Sequence, residues 1–388
     1  MKIQNSVYHG LTGLFEIFLG GRSLSFRKRL VGCFMGIFAE TSIVPRRIAA
    51  GMEVTLSRSV CLESHERSIR RLLSDPRLNF KDVYLPFLKK VLSIQRKERV
   101  FLAIDETARK GDFRVLVAAL CCAGRAVPIA WVSWRAQIKA KVSYWSHLKK
   151  LFAQVNRILR KDVEVIVLGD RAFGNTHFTD LVEKYHWNWL VRLQKQTCFQ
   201  FSQGHSKQIF CFFTQPDRFK SKGKLFKKAG WREASLVCWW ESSYKEALLL
   251  GSNLPPSWDL VEYYQKRCLI ECMFRDWKSK GWDWEECHLH DFHRHNRLIL
   301  LMCMATVLVL VLGQQEAKEL LSKPKRKQKT LPSEAKRSLF QLGLKRLRAC
   351  LFQTRKLPQE WTLGGWNEPN WIEQICQHHL SPVLIAKG

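Results

Sequence analysis

The sequence is short of acidic residues: it has 34 aspartates and glutamates against 64 lysines and arginines in 388 residues. The resulting net charge of +30 makes the chain repel itself, so a polyanionic partner is the first expectation. Nucleic acid suits this charge best. A membrane surface is the competing partner, and a solvated basic surface is the neutral alternative.

Long apolar runs and secretion signals are also missing. The longest apolar run, residues 298–312, is shorter than the roughly 20 residues that cross a bilayer, so it predicts a buried helix. The apolar stretch at residues 11–21 contains Glu16 and is followed by no small-residue cleavage site. The 13 cysteines are odd in number and include no C-x2-C pair, which disfavours a disulfide framework and a zinc site. We therefore expect a cytoplasmic protein with free thiols and no membrane partner.

The alternation of short apolar strands with helical segments predicts an α/β protein in five regions. No repeat of solenoid period is present in the sequence. Clustered arginines between short helical segments suggest a helical DNA-binding region at the N-terminus. The predicted regions are a helical DNA-binding region (1–95), the first part of an α/β domain (96–196), an all-β insertion (197–253), the second part of the α/β domain (254–313) and a basic helical C-terminal region (314–388).

Two aspartates follow apolar strands in the predicted order β-β-β-α-β-α-β. Asp105 ends the run VFLAID, and Asp170 ends the run EVIVLGD. Chemistry gathers at the carboxyl ends of strands in α/β sheets, although a single aspartate in that position is often only a turn residue. The pair is therefore a candidate site that needs a third group.

The third group is on a helix predicted to begin near Trp258. At 100° per residue, one stripe about 21 Å long holds polar and amphipathic side chains, and an apolar face lies opposite. From the residues alone, a surface helix with ion pairs between positions four apart is as good an interpretation as a functional site. The members of this stripe are Tyr264, Arg267, Glu271, Arg275 and Lys278.

The spacing Tyr264-x2-Arg267-x3-Glu271-x6-Lys278 resembles the Y-(2)-R-(3)-E-(6)-K signature of the insertion-sequence-four family of DDE transposases. Asp105 in AIDET and Asp170 in VLGDRAF resemble that family's two catalytic aspartates, in the right order. The resemblance implies an RNase H-like catalytic domain interrupted by an all-β insertion. Asp105, Asp170 and Glu271 would then be the catalytic and metal-binding residues.

The resemblance also implies cofactors and DNA contacts. Two Mg²⁺ ions, for which Mn²⁺ can substitute, would support phosphodiester chemistry on carboxylate oxygens. Tyr264, Arg267, Arg275 and Lys278 would contact DNA, and Arg171 is a further phosphate-binding candidate. Some relatives stack a tryptophan on a flipped base.

In this chain the position of that tryptophan falls near Ala247. Trp239 and Trp240 lie close by but out of register, and they are the candidates for base stacking.

The sequence therefore predicts an insertion-sequence transposase of bacterial type, associated with the nucleoid. It would bind the terminal inverted repeats of its element and target DNA as double strands, and it would be a homodimer in the DNA complex. Three alternatives remain: a catalytically silent DNA-binding protein derived from a transposase, an RNase H-like nuclease, and a peripheral membrane protein. The presence of all three carboxylates argues against the silent DNA-binding protein. The lack of an anchoring helix argues against the peripheral membrane protein.

Overall fold

The computed structural model describes residues 2–56, 60–109, 112–122, 124–136, 143–212, 215–242, 245–279, 281–322, 337–353, 357–358 and 360–364. The predicted basic C-terminal region lies partly outside these ranges, because residues 323–336, 354–356 and 365–388 are not among them. The fold is a mixed α/β fold built on one large sheet, which agrees with the predicted class.

Ten strands form this sheet in the order β3-β2-β1-β4-β5-β10-β9-β8-β6-β7. Strand β4 runs parallel to both β1 and β5, whereas the other neighbouring pairs are antiparallel. The strands are β1 Arg99–Arg109, β2 Phe113–Cys122, β3 Arg125–Arg135, β4 Glu164–Gly169, β5 Asn188–Arg192, β6 Cys198–Phe201, β7 Ser206–Gln208, β8 Arg218–Leu225, β9 Arg232–Trp239 and β10 Leu248–Ser252.

The helices pack against the sheet and against one another, and those of the first 74 residues form a group through their mutual contacts. The helices are α1 Lys2–Leu19, α2 Leu24–Glu40, α3 Pro45–Thr55, α4 Leu62–Ser74, α5 Leu85–Val91, α6 Tyr144–Ile158, α7 Thr176–Glu183, α8 Asp259–Gln265, α9 Cys268–Lys278, α10 Phe292–Ser322 and α11 Leu339–Phe352.

The order β1-β2-β3-α6-β4-α7-β5 is the order that the sequence predicts for the first part of the α/β region. One detail differs, because β1 does not end at Asp105 but continues to Arg109. The extension is stabilised by β2, in which Val117 pairs with Asp105. Asp105 therefore lies inside an antiparallel pair, at the point where the parallel pairing with β4 stops.

The strands predicted as an all-β insertion join the same sheet, since β10 pairs with β5 of the α/β region. The all-β prediction for residues 197–253 is not met throughout. Residues 209–212 form a 3-10 turn instead of a strand. Strand β8 has no clear signal in the sequence, because RFKSKGKL alternates cations with two small and two large residues and lacks the aliphatic run that marks the other strands.

The helix expected from Trp258 onward is divided into α8 and α9. Lys266 and Arg267 keep right-handed helical angles, but hydrogen bonds such as Arg267 N to Tyr264 O span three residues at this point. The local tightening resembles a 3-10 turn and shifts the stripe that a continuous α-helix would present.

The last two helices of the described chain, α10 and α11, pack against each other and contribute to the core. α10 is long and apolar enough to cross a membrane by composition, but 94% of its apolar window is buried inside the protein. It is therefore a core helix, as the sequence predicts. α11 packs on α10 so closely that a Cβ on Gly343 would lie 1.9 Å from the Val309 carbonyl oxygen.

One arginine of the N-terminal helices joins them to the α/β region. Arg47 of α3 donates to Asp283 at 2.6 Å and to Glu286 at 2.7 Å, in the turn after α9. Other arginines of this region, such as Arg67 and Arg70 of α4, are exposed. The N-terminal arginine clusters thus divide into cations that hold the fold together and cations that face solvent.

Candidate active site

Asp105 and Asp170 meet because β1 and β4 are parallel neighbours. Ala103 of β1 pairs with Leu168 of β4. Each aspartate is two residues further along, so both side chains leave the same face of the sheet at adjacent positions. The topology therefore brings together two carboxylates that are 65 residues apart in the sequence.

Glu271 reaches these aspartates from α9, and Arg267 joins all three. The Arg267 guanidinium donates to Asp105 Oδ2 at 2.9 Å, and its Nη2 lies 4.0 Å from Asp170 Oδ2. Its other terminal nitrogen donates to Glu271 Oε1. The three predicted catalytic acids therefore surround a single cation.

Burial differs strongly within this group. The Asp105 side chain is 18% exposed and that of Asp170 is 37% exposed. Burial raises the pKa of Asp105 to about 6, against the opposing effect of Arg267, and the charges of Asp170 and Glu271 raise it further. Asp105 is thus the acid whose ionised form most needs a cation beside it.

Backbone groups fix the orientation of both aspartates. Asp105 Oδ1 accepts a hydrogen bond from Glu106 N at 2.8 Å, and Asp170 Oδ1 accepts one from Ala172 N at 2.9 Å. The second bond caps the 3-10 turn Arg171–Phe173. Each aspartate therefore leaves its Oδ2 oxygen on the side of Arg267.

The donor set suits a hard divalent cation. Three carboxylates from distant parts of the chain converge on one positive group, and Mg²⁺ prefers carboxylate oxygens. Within the part of the chain that the structure describes, no three acidic, histidine or cysteine side chains approach closely enough to hold an ion as they stand. A metal would therefore share its ligands with Arg267, and that side chain would have to give way.

The remaining residues of the predicted stripe lie in different environments. Tyr264 is 8% exposed, and burial raises its pKa to about 12. Arg275 donates to Cys272 Sγ at 3.0 Å, and Lys278 pairs with Glu285 at 3.3 Å. Among these residues, the structure gathers Arg267 and Glu271 at the aspartates.

Next to Asp170 is a second cluster, which sequence reasoning missed apart from Arg171. Glu246, in the bend before β10, accepts from Arg171, from Arg192 at 2.7 Å and from Lys195 at 3.3 Å. Burial disfavours the Glu246 carboxylate, but Arg171 and Arg192 outweigh this effect and lower its pKa. The available signal in the sequence was an arginine within the apolar strand WNWLVRL.

Both candidate base-stacking tryptophans lie at the end of β9. The ring of Trp239 is covered by the Arg218 guanidinium at 3.7 Å from its centroid and meets Trp258 edge to face at 5.6 Å. Trp240 follows it, is half-buried, and packs against the core. Trp239 is therefore already engaged by a cation on one side of its ring.

Residues 144–308 match the family model described as "Transposase DDE domain". This match includes Asp170 and Glu271 and begins after Asp105. No curated protein matches the chain significantly. Among solved structures, the chain is similar to a piggyBac transposase synaptic complex with hairpin DNA, with a TM-score of 0.46 and 8% identity over 89% of this chain and 77% of that chain.

Transposase DDE domains use divalent metal ions, in agreement with the carboxylates described above. With this match over residues 144–308, the predicted enzyme class, a DDE transposase, is confirmed.

Proposed function

We propose that the protein is the transposase of an insertion sequence, of the insertion-sequence-four type. It would bind the terminal inverted repeats of its element as double-stranded DNA and cleave at the element ends. It would then join the 3′-hydroxyls to target DNA. The observation that carries the proposal is the convergence of Asp105, Asp170 and Glu271 on the guanidinium of Arg267.

Asp105, Asp170 and Glu271 would hold two Mg²⁺ ions, or Mn²⁺ in their place. Such ions supply an activated nucleophile and stabilise the leaving oxygen of a phosphodiester. Asp105 is the more buried of the two aspartates, and its pKa is raised. A bound cation would therefore stabilise the charge of Asp105 more than that of Asp170. Backbone hydrogen bonds to both aspartates hold these ligands in place.

Arg267 would turn from the carboxylates to a DNA phosphate. Its guanidinium is only 12% exposed and lies within the group of acids, so a phosphate that enters beside them would be within its reach. Arg171, Arg275 and Lys278 are the further phosphate-binding candidates. Tyr264, which is buried, would help to position Arg267 against the DNA, and Trp239 or Trp240 would stack on a base.

The basic surface and the exposed N-terminal arginines would hold DNA on either side of this centre, and a homodimer would bring two ends together. A net charge of +30 supports strong, salt-dependent DNA binding. We place the protein in the cytoplasm at the nucleoid. These partners and this location follow from the proposed reaction.

Strand cleavage and joining by the purified full chain test this proposal. End-labelled duplexes from the two DNA flanks of the coding region are incubated with Mg²⁺ or Mn²⁺, and nicked and joined products are separated on denaturing gels. We expect Asp105→Asn and Glu271→Gln to abolish both products while DNA binding in a gel-shift assay persists.

Two surface variants are the matched controls. Asp162→Asn alters an exposed aspartate that pairs with Arg160, and Glu262→Gln alters an exposed glutamate of α8. Both should cleave as the unaltered protein does. Binding without cleavage by the unaltered protein would favour the silent DNA-binding alternative, and cleavage without joining would favour a nuclease.

A further inference from the structure

We propose that Arg171, Arg192 and Lys195 form a binding site for a non-reacting DNA phosphate beside the three carboxylates, and that Glu246 occupies this site until DNA displaces it. This inference rests on the proposed function for the identity of the ligand. We call the three cations the cradle.

The cradle is built around one carboxylate. Arg171 and Arg192 both donate to Glu246 Oε1, and the Lys195 ammonium lies 3.3 Å from Glu246 Oε2. Three cations on one anion leave a local charge of about +2 on simple counting. A carboxylate and a phosphodiester each present two oxygens with one negative charge, so the same donors suit either group.

Arg192 gives the cradle a rigid base. Its side chain is 7% exposed and extends from β5, whose neighbours β4 and β10 pair with it on both sides. Burial lowers the pKa of Arg192, and the nearby Arg171 lowers it further. A buried guanidinium beside a second one is costly without an anion, so this position favours an anionic ligand.

The cradle lies next to the catalytic group. Gly169 pairs with Val191 across β4 and β5, so Asp170 and Arg192 are in adjacent positions on strands about 4.8 Å apart. A DNA strand that placed one phosphate at Asp170 would bring another towards the cradle. The site would thus hold the strand in register with the reacting bond without contacting that bond.

Glu246 is placed so that it can leave. It lies in a bend before β10 and outside the strand pairing, and its side chain is 24% exposed. Moving it breaks no pair of the sheet. An incoming phosphate would take over the donors of Glu246, and the released carboxylate would return to water. The cost of this displacement would weaken the net binding of DNA.

Removing the charge of Glu246 tests this competition. A fluorescein-labelled 20-base-pair duplex of arbitrary sequence is titrated with the full chain in EDTA, and binding is followed by fluorescence anisotropy over a range of salt concentrations. We expect Glu246→Gln to bind about fivefold more tightly than the unaltered protein, because one charge-assisted phosphate contact is no longer contested. The slope of log K against log salt should steepen by about one.

Glu241→Gln is the matched control, because it removes the same charge from a glutamate that lies outside the cradle, is 40% exposed in its side chain and pairs with Arg218 at 2.9 Å. It accounts for the change in net charge alone. Adding Lys195→Gln to Glu246→Gln should cancel the gain, and Glu246→Asp should bind as the unaltered protein does. Thermal melting of each variant verifies that it is folded.

Equal affinities of Glu246→Gln and Glu241→Gln would overturn the inference, as would weaker binding by a folded Glu246→Gln variant. Either result would mean that Glu246 only holds the three cations together in the fold and does not compete with DNA for them. Failure of every protein to bind the duplex would overturn the proposed function as well. A gain in affinity by Glu246→Gln, together with no strand cleavage by the unaltered protein in the assay with Mg²⁺ and the flanking duplexes, would support the cradle and contradict the proposed catalysis.

Discussion

Arg267 donates a hydrogen bond from Nη2 to Asp105 Oδ2 at 2.9 Å, across a separation of 162 residues in the sequence. The same side chain donates to Glu271, one helical turn away. Although burial disfavours its charge, the surrounding acids raise the pKa of Arg267. The arginine of the predicted stripe is therefore the group that holds the proposed catalytic acids of two different elements together.

Arg267→Lys should separate the effect of charge from that of geometry. A lysine keeps the positive charge but lacks the planar fork that donates to Asp105 and Glu271 at once and that would bind a DNA phosphate through two hydrogen bonds. We expect a folded protein in which strand cleavage falls at least about 100-fold, the loss typical of misplaced reacting groups. The measurement is the initial rate of nicking with Mg²⁺.

Arg160→Lys is the control, because Arg160 pairs with Asp162 on the surface and is 49% exposed. It should leave the nicking rate unchanged. An Arg267→Lys protein that nicks DNA at the normal rate would show that a point charge suffices, and the bridging role of the fork would be wrong.

The strands of the α/β region could be predicted from the sequence because they are aliphatic, β-branched runs buried on both faces. Strand β4, EVIVLG, is the clearest example. Strand β8 could not be predicted in the same way, because its outer face is cationic and Gly223 and Ser221 are on its inner face. The break between α8 and α9 was also missed, because both sides of it keep the helical hydrophobic pattern.

The site shows the same division. Asp105, Asp170 and Glu271 could be singled out from their positions in motifs, whereas Glu246 could not. Its role depends on the pairing of Leu250 with Arg192, a contact between β10 and β5 that local sequence does not specify. The cations around Glu246 come from three separate positions in the chain, and only the folded sheet brings them together.

Asp276 should make stability depend on pH. Burial raises its pKa to about 6, against the opposing effect of Arg125, which lies 3.4 Å away. The folded protein therefore binds a proton between about pH 4 and pH 6 that the unfolded chain has lost, so this group lowers the free energy of unfolding as pH rises through that window. The contribution of Asp276 to this decrease in the free energy of unfolding is on the order of 2 kcal/mol. We expect Asp276→Asn to lack it, and urea unfolding in EDTA at pH 4 and pH 6 measures the difference.

Asp180→Asn is the control for that measurement, because Asp180 also pairs with an arginine, at 3.5 Å, but is 53% exposed. Its unfolding free energy should follow the pH dependence of the unaltered protein. If Asp276→Asn retained the full decrease between pH 4 and pH 6, the buried carboxyl would not be its source.

Gly343→Ala should weaken the contact between α10 and α11. An added Cβ would lie 1.9 Å from the Val309 carbonyl oxygen, and the atom it meets belongs to the backbone of a buried helix, so α11 would have to move. We expect a loss of about 3 kcal/mol in the free energy of unfolding, which is the range of overpacking in a tight core. Chemical denaturation with urea measures the loss.

Gly13→Ala provides the comparison for the same substitution in an open position. Gly13 is exposed on α1, and its added Cβ would meet no atom within 4 Å. Alanine favours a helix over glycine by about 1 kcal/mol, so this variant should be as stable as the unaltered protein or more stable. Because both substitutions carry the same helix propensity, a Gly343→Ala protein that gained stability as well would mean that α11 is not held against α10 at this distance.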